Sequence, residues 1–194
     1  MDKFASQTLA DFTAQAASAD GGLRCGGVAA LAGALAAALG SAASAADDGS
    51  EDAVTLGRIR EYMLHLIDED GKAHKPLEKY LSLPEDDPER AGHMDSALRV
   101  ACYIPTEVMY TAGDAAEILS RLAGSSSGDM AVYVGTGLLL CRAAMRASEL
   151  NILQNAAHMA DDVFAMTLRR ECELVFEKYD PVIDAALTKV KGRF

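Results

Sequence analysis

An aspartate and a histidine four residues apart are the first side chains in this sequence with the spacing for acid–base chemistry. They are Asp70 and His74, in the segment IDEDGKAH at 67–74. Positions i and i+4 lie on the same face of an α-helix. A carboxylate beside an imidazole can transfer protons near neutral pH, because the imidazole titrates there. The alternative interpretation is a solvent-exposed helix end, since such ends often carry several carboxylates.

A second candidate site is a polar stripe near the end of another helical pattern. Asn151, Asn155 and His158 fall at positions i, i+4 and i+7, and Asp161 follows them. Polar groups on one face of an apolar helix need hydrogen-bond partners. The stripe therefore either bonds to neighbouring helices or orients a polar ligand, and the residues themselves leave both interpretations open.

A glycine-rich turn, GGLRCGG at 21–27, precedes a long apolar run. The first N–H groups of a helix have no partner within the helix, and glycines leave them open to an anion or a polar ligand edge. Gly26 and Gly27 are the candidates for such a contact. The same turn can equally be a simple loop, because this glycine spacing is a weak phosphate-binding signal.

The run from Cys25 to Ala46 contains no charged residue and is rich in Ala and Gly. Its larger apolar residues recur at helical spacing, at Val28, Leu31, Leu35 and Leu39. Such a run predicts a buried central helix, with 28–39 nearly inaccessible to solvent. A membrane span and a signal peptide are the alternatives. The run lacks the flanking aromatic and basic residues of a span and the positive start of a signal.

The composition limits the class of protein. Half of the residues are hydrophobic, only 6% are aromatic, and Trp is absent. This favours helices over a sheet, because the usual strand residues are scarce. A net charge of −11 argues against nucleic acid as a partner. The four cysteines form no CxxC pair and the four histidines form no metal-binding motif, so we expect reduced thiols and no metal site.

The periodicity predicts an all-α chain, a single domain over 1–194 with about seven to nine helices around the buried Ala/Gly-rich helix. Helices are expected to end near 68–71, to begin at Asp95, and to start or kink at Pro105. A long helix is expected over 155–179, ended by Asp180–Pro181.

The order of these pieces resembles the cyclodeaminase domain of formiminotransferase-cyclodeaminase and its relatives, the methenyltetrahydrofolate cyclohydrolases of one-carbon metabolism. The resemblance covers nearly the whole chain and implies a shared fold. It rests on LADFTAQAAS near the start, LRCGGVAA at 23–30 against the family's PGGGSVAA, DGKAH at 70–74 against DAxAF, ALRVACYIPTEVM at 97–109, ELNILQN at 149–155, and the pair Asp161 and Phe164.

Several family residues are replaced in this chain. In the turn, Leu23, Arg24, Cys25 and Gly27 stand where the family has its proline, two of its three glycines and its serine. His74 takes the place of the phenylalanine after the acidic residue. The family's asparagine at the start of the sixth helix falls on Asp129, and its Ser-Asp pair falls on Val132 and Tyr133. These replacements indicate a divergent member.

The resemblance implies a folate one-carbon enzyme of the cyclodeaminase or cyclohydrolase type, acting on a C–N bond of a tetrahydrofolate derivative without a metal or redox cofactor. Asp70 is then the acid–base residue and His74 its partner. The substrate-binding residues are Arg24, which would meet a carboxylate, together with Gly26, Gly27, Asp129, Asn151, Asn155 and Asp161.

The resemblance also implies a homodimer, and the scattered cysteines fit a cytoplasmic location with no membrane partner. The alternative hypothesis is a catalytically degenerate paralogue that binds a folate-like small molecule or a protein partner. A helical assembly subunit without a ligand is a third interpretation, in which the polar stripe is satisfied by protein groups alone.

Overall fold

The computed structural model of the chain describes residues 3–18, 22–44, 50–126 and 128–194. These residues form a short 3-10 helix, Phe4–Ser6, and six α-helices: α1 (Leu9–Ala16), α2 (Cys25–Ser44), α3 (Glu51–Leu81), α4 (Pro88–Ser125), α5 (Asp129–Ala156) and α6 (Asp162–Lys191). The described ranges contain no strand, so the predicted all-α class is confirmed. Gly21 and the last two residues of the predicted central helix, 45–46, lie outside the described ranges.

The helices are fewer and longer than the sequence predicts, because prolines do not interrupt them. Pro76, Pro105 and Pro181 all lie inside helices. A proline removes one helical hydrogen bond, but each of these helices continues into residues that the core buries. Leu77 follows Pro76, Met109 follows Pro105 and Ile183 follows Pro181, all at most 3% exposed. The predicted ends at 68–71 and at Asp180–Pro181 are therefore wrong.

The predicted long helix over 155–179 is wrong at its start, since α5 ends at Ala156 and α6 begins at Asp162. Two carboxylates stabilise the non-helical segment between α5 and α6. Asp161 accepts the N–H of Phe164 as the N-cap of α6. Asp95, expected at the start of a helix, lies inside α4 and accepts the N–H groups of Ala160 and Asp161.

Helix α2 lies at the centre of the bundle and packs against α3, α4 and α5. Its glycines at a spacing of seven residues face α3. A Cβ atom added to Gly33 would lie 2.6 Å from Cε of Met63, and one added to Gly40 would lie 2.9 Å from Cδ1 of Leu56. The small residues thus allow the two backbones to approach closely, and the predicted buried Ala/Gly-rich helix is confirmed.

The prediction that 28–39 is nearly inaccessible to solvent is wrong, because the larger residues of α2 lie on its outer face. Val28 and Leu35 are 43% and 49% exposed, and Leu31 and Leu39 are half-buried. The close packing explains the reversal, because only Gly and Ala fit against α3, α4 and α5. Helix α2 is long and apolar enough to cross a membrane by length and composition, but half of its residues are buried against the other helices.

We expect Gly40→Leu to lower the free energy of unfolding by about 1–3 kcal/mol, because the added side chain overpacks the contact with Leu56 and Leu119. The matched control is Gly92→Leu in α4, where an added Cβ meets nothing within 4 Å. Leucine favours the helix over glycine there, so stability should rise by about 0.5–1 kcal/mol. Urea denaturation measures both changes, and equal effects of the two substitutions would contradict the close packing.

Candidate active site

A cleft of about 800 Å³ opens at one end of the bundle, between the start of α2, α3, α4 and the end of α5. This volume is typical of small-molecule sites. The polar lining consists of Arg24, Cys25, Asp70, His74, Glu85, Arg90, Asp95, Asn151, Gln154, Asn155 and His158. The apolar lining consists of Leu77, Leu81, Ala91, Met94, Leu98, Ala101, Pro105 and Ala160. The cleft therefore brings together the predicted acid–base pair, Arg24 and the polar stripe.

Asp70 joins α3 to the first turn of α2. Its side chain is buried, with the residue 7% exposed, and its Oδ2 accepts the N–H of Gly27 at 2.8 Å. A Cβ atom added to Gly26 would lie 2.3 Å from Oδ1 of Asp70, so only glycine leaves room for the carboxylate. The free N–H of Gly27 that the sequence offers to a ligand is therefore already bonded to Asp70 in this structure. Gly26 serves the site by making space for that carboxylate.

Burial shifts the titration of both members of the acid–base pair. It raises the pKa of Asp70, although the hydrogen bond from Gly27 and the charge of Arg24 act in the opposite direction. Burial, and then the charge of Arg24, lower the pKa of His74 from its ordinary value. The two pKa values move toward each other, and proton exchange at neutral pH is easiest for groups with similar pKa values. Groups with perturbed pKa values in a cleft make this region a candidate functional site.

Arg24 lies immediately before α2 and forms an ion pair with Glu78 of α3. Both side chains are more than a third exposed, so solvent screens the pair and a ligand can replace it. Arg24 thus supplies a positive charge next to Asp70 and His74, but this charge is already matched by a carboxylate.

The polar stripe of α5 lines the cleft, and its side chains already form some hydrogen bonds to protein groups. Nδ2 of Asn151 donates to the carbonyl of Ala147, and the side chain of Asn155 hydrogen-bonds to the thiol of Cys102. The ring Nδ1 of His158 lies 2.8 Å from the carbonyl of Gln154. These bonds orient the side chains along the wall of the cleft, and the amides can still form further hydrogen bonds.

Four predicted binding residues do not line the cleft: Gly26 and Gly27, which lie against Asp70, and Asp129 and Asp161. Asp161 caps α6 and forms an ion pair with Arg99. Asp129 is the first residue of α5, 22 residues before Asn151, which corresponds to about 33 Å along a helix. Both carboxylates therefore occupy helix starts, where they interact favourably with unpaired N–H groups.

Four polar residues of the lining are not among the site residues that the sequence predicts: Glu85, Arg90, Asp95 and Gln154. The sequence gives some indication of Gln154 as a lining residue, because it lies in the same NILQN segment as the two asparagines. The sequence gives no indication of Arg90 as a lining residue, since it follows a surface segment, PEDDP at 84–88, and belongs to no motif.

The described residues hold no group of three or more His, Cys, Asp and Glu side chains arranged to bind a metal ion. All four cysteines are free thiols, of which Cys102, Cys141 and Cys172 are buried and Cys25 is exposed at the cleft. Burial raises the pKa of Cys102 and of Cys172 to about 11, so these two are unreactive at neutral pH.

Comparison with known proteins extends the sequence resemblance. The sequence profile of the formiminotransferase-cyclodeaminase family matches residues 7–174. A solved formiminotetrahydrofolate cyclodeaminase from Thermotoga maritima is similar in structure, with a TM-score of 0.78 and 21% sequence identity over 97% of this chain and 96% of that chain. This likeness shows that the fold is shared over nearly the full length of both chains. Among curated proteins, no sequence matches the chain.

Because the pKa of His74 is lowered, the free energy of unfolding should depend on pH, and His74→Gln should remove this part of the dependence. The pKa of His74 is lowered from 6.5 in the folded protein, so just below pH 6.5 the unfolded chain binds more protons than the folded one. The contribution of neutral His74 to stability is therefore present above pH 6.5 and is lost as the pH falls through the lowered pKa.

The free energy of unfolding should accordingly fall less in His74→Gln than in the parent between about pH 7.5 and about pH 5.5, as measured by urea denaturation. His65→Gln is the control, because it removes an exposed imidazole from the same helix. Parallel decreases in the parent and in His74→Gln would contradict the burial of a neutral imidazole.

Proposed function

The chain belongs to the formiminotransferase-cyclodeaminase family, and on this premise we propose that its cleft is the active site of a folate one-carbon enzyme. The proposed activity is of the cyclodeaminase or methenyltetrahydrofolate cyclohydrolase type, and the substrate is a tetrahydrofolate derivative. The observation that carries the proposal is the buried carboxylate of Asp70, in the same cleft as the half-buried imidazole of His74.

Both reactions pass through a tetrahedral carbon between nitrogens, and the two side chains have complementary tasks. In cyclodeamination, N10 attacks the carbon of the protonated formimino group and gives its proton to neutral His74. Ammonia then leaves with a proton from Asp70, and the methenyl cation remains. In cyclohydrolysis, water attacks the cationic bridging carbon and gives one proton to His74. N5 then leaves with a proton from Asp70, the hydroxyl group returns its proton to the Asp70 carboxylate as the formyl C=O forms, and His74 releases one proton to solvent. The raised pKa of Asp70 and the lowered pKa of His74 suit these directions of transfer. No electrons are transferred, so the chemistry requires no redox cofactor, and we propose that Asp70 and His74 carry out the proton transfers without a metal.

The remaining polar residues would orient the substrate. Asn151 and Asn155 offer amide donors and acceptors to the heterocycle, and Arg24 can exchange Glu78 for a hydrogen-bond acceptor of the same ring system. Holding the reacting carbon in place is itself a large part of such catalysis, because it removes the entropy of bringing the groups together.

One observation favours the second candidate, a binding protein without catalysis. Oδ2 of Asp70 is already occupied by the N–H of Gly27, so the carboxylate also has a structural role. If that role is its main one, the cleft binds a folate-type molecule without converting it.

Asp70→Asn separates the two candidates. An asparagine can still accept the N–H of Gly27 through its amide oxygen, so we expect the fold to persist. The rate with 5-formiminotetrahydrofolate or 5,10-methenyltetrahydrofolate should fall by about 100-fold or more, the scale for a lost acid–base group. Both substrates allow a spectrophotometric assay.

The matched control is Asp161→Asn, which replaces a carboxylate outside the cleft by another good N-cap residue and should leave the rate unchanged. An unaltered rate in Asp70→Asn would make Asp70 a purely structural residue. A parent protein that binds folates by calorimetry but converts neither substrate would support the binding protein.

We also propose a cytoplasmic homodimer in which α2 and α5 form the interface. Leu35 of α2 and Leu139 of α5 are 49% and 55% exposed, on two helices that pack against each other. Neither Cys25–Ser44 nor the segment between Asp129 and Arg142 carries a charge. Two copies with a net charge of −11 each repel, so a neutral apolar face is the favourable place for them to meet. Cysteines without disulfide bonds suit a reducing compartment.

Leu35→Glu should convert the dimer to a monomer, because it places two carboxylates in the apolar interface. Light scattering after size-exclusion chromatography measures the mass directly. Val163→Glu is the control, since it adds the same charge at a position that is 71% exposed on α6. A parent protein that is monomeric at micromolar concentration would remove the proposal, and so would a dimer that survives Leu35→Glu.

A further inference from the structure

The cleft follows α3 and α4, with Asp70 and His74 at its inner end and apolar side chains farther out, at Leu77, Leu81 and Met94. On α3, Asp70, His74, Leu77 and Leu81 follow one another along the wall at helical spacing. On α4, which runs antiparallel across from it, Ala101, Leu98, Met94 and Arg90 form the facing wall. Each row spans 11 residues, which is about 16 Å along a helix. A ligand that reaches the acid–base pair therefore extends past Leu77 and Met94 toward Arg90.

Leu77, Leu81 and Met94 form an apolar slot in this outer part, and their side chains are suited to contact with a flat apolar group. Leu81 is 51% exposed although it lines the cleft, whereas Leu98, nearer the inner end, is almost fully buried. Covering the exposed face of a leucine with an aromatic ring is favourable, because it removes apolar surface from water.

The slot ends at an arginine whose charge has no carboxylate partner among the described residues. Arg90 is half-buried, and its Nη1 donates to the neutral carbonyl of Leu83 at 2.8 Å. Arg24, the other arginine of the cleft, is paired with Glu78. Glu85 lines the same end of the cleft, but the ion pairs of the described residues do not include it. A guanidinium with free donors in a fixed position is suited to a carboxylate, which it can bind through two parallel hydrogen bonds.

We propose that the outer end of the cleft is a carboxylate subsite, in which Arg90 binds the terminal acid of an aromatic acylamino acid while the aryl ring lies between Leu81 and Met94. The inference rests on the proposed function, because a tetrahydrofolate derivative carries such a group, an aminobenzoyl ring joined to glutamate, at the end remote from its reacting carbon. Arg90 is then a specificity residue: it selects the ligand by its tail, at a distance from the acid–base pair. The strongly negative charge of the whole protein makes a local positive group necessary for an anionic tail.

Three probes separate the tail from the reacting head: tetrahydrofolate, p-aminobenzoyl-L-glutamate, and a tetrahydropterin without the tail. Calorimetry gives the affinity of each for the parent and for Arg90→Gln. We expect Arg90→Gln to weaken binding of the two probes with a tail by about ten-fold, the effect of losing a charged hydrogen bond, and to leave the tetrahydropterin unchanged. Arg90→Lys keeps the charge without the two parallel bonds and should lie between parent and Arg90→Gln.

Arg60→Gln is the control, because it removes an exposed arginine of α3 that pairs with Glu61 outside the cleft. Circular dichroism establishes that each variant is folded. Equal affinities of parent and Arg90→Gln for p-aminobenzoyl-L-glutamate would overturn the inference, and so would a parent that binds neither probe with a tail. If the parent converts no folate but Arg90→Gln still weakens p-aminobenzoyl-L-glutamate, the carboxylate subsite stands and the proposed function fails.

Discussion

The hydrogen bond between Oδ2 of Asp70 and the N–H of Gly27 is the contact on which the arrangement of the cleft depends. It fixes the start of α2 against the middle of α3, at a place where the absent side chain of Gly26 leaves room for the carboxylate. It thereby sets the position of Arg24 relative to Asp70 and His74, because Arg24 directly precedes α2. The burial that this contact requires is also the cause of the raised pKa of Asp70. The architecture of the cleft and the raised pKa of Asp70 therefore have one physical origin.

The same close approach determines which surface the bundle exposes. Glycines and alanines of α2 face α3, α4 and α5, so the volume needed for larger side chains exists only on the outside. Val28 and Leu35 lie there as a consequence, next to a segment of α5 that also lacks charge. In a chain with such an excess of carboxylates, a neutral face of two adjacent helices is the region with the least electrostatic repulsion toward another copy.

Local patterns were enough to predict the parts of the structure that depend on local geometry. The all-α class follows from helical periodicity, and Asp70 and His74 share a face because they are one turn apart. Features that depend on the register between helices were not predictable. Arg90 enters the cleft because the turn between α3 and α4 places it across from Leu81, and no residue near it signals that position. The outward face of α2 was misjudged because the sequence shows two possible faces, and only packing decides whether small or large residues lie inside. Asp161 shares a motif with Phe164, but its carboxylate caps α6 and pairs with Arg99 in this structure.

The tight fit between Gly26 and Asp70 also has an evolutionary consequence. The two positions are 44 residues apart in sequence, but they cannot change independently, because any side chain at position 26 collides with the carboxylate at position 70. A lineage can replace the aspartate first and afterwards accept a larger residue in the turn, whereas the opposite order passes through a clashing intermediate. Positions 26 and 70 should therefore covary among relatives. Chains that lack an aspartate at position 70 are the ones expected to carry a residue larger than glycine at position 26.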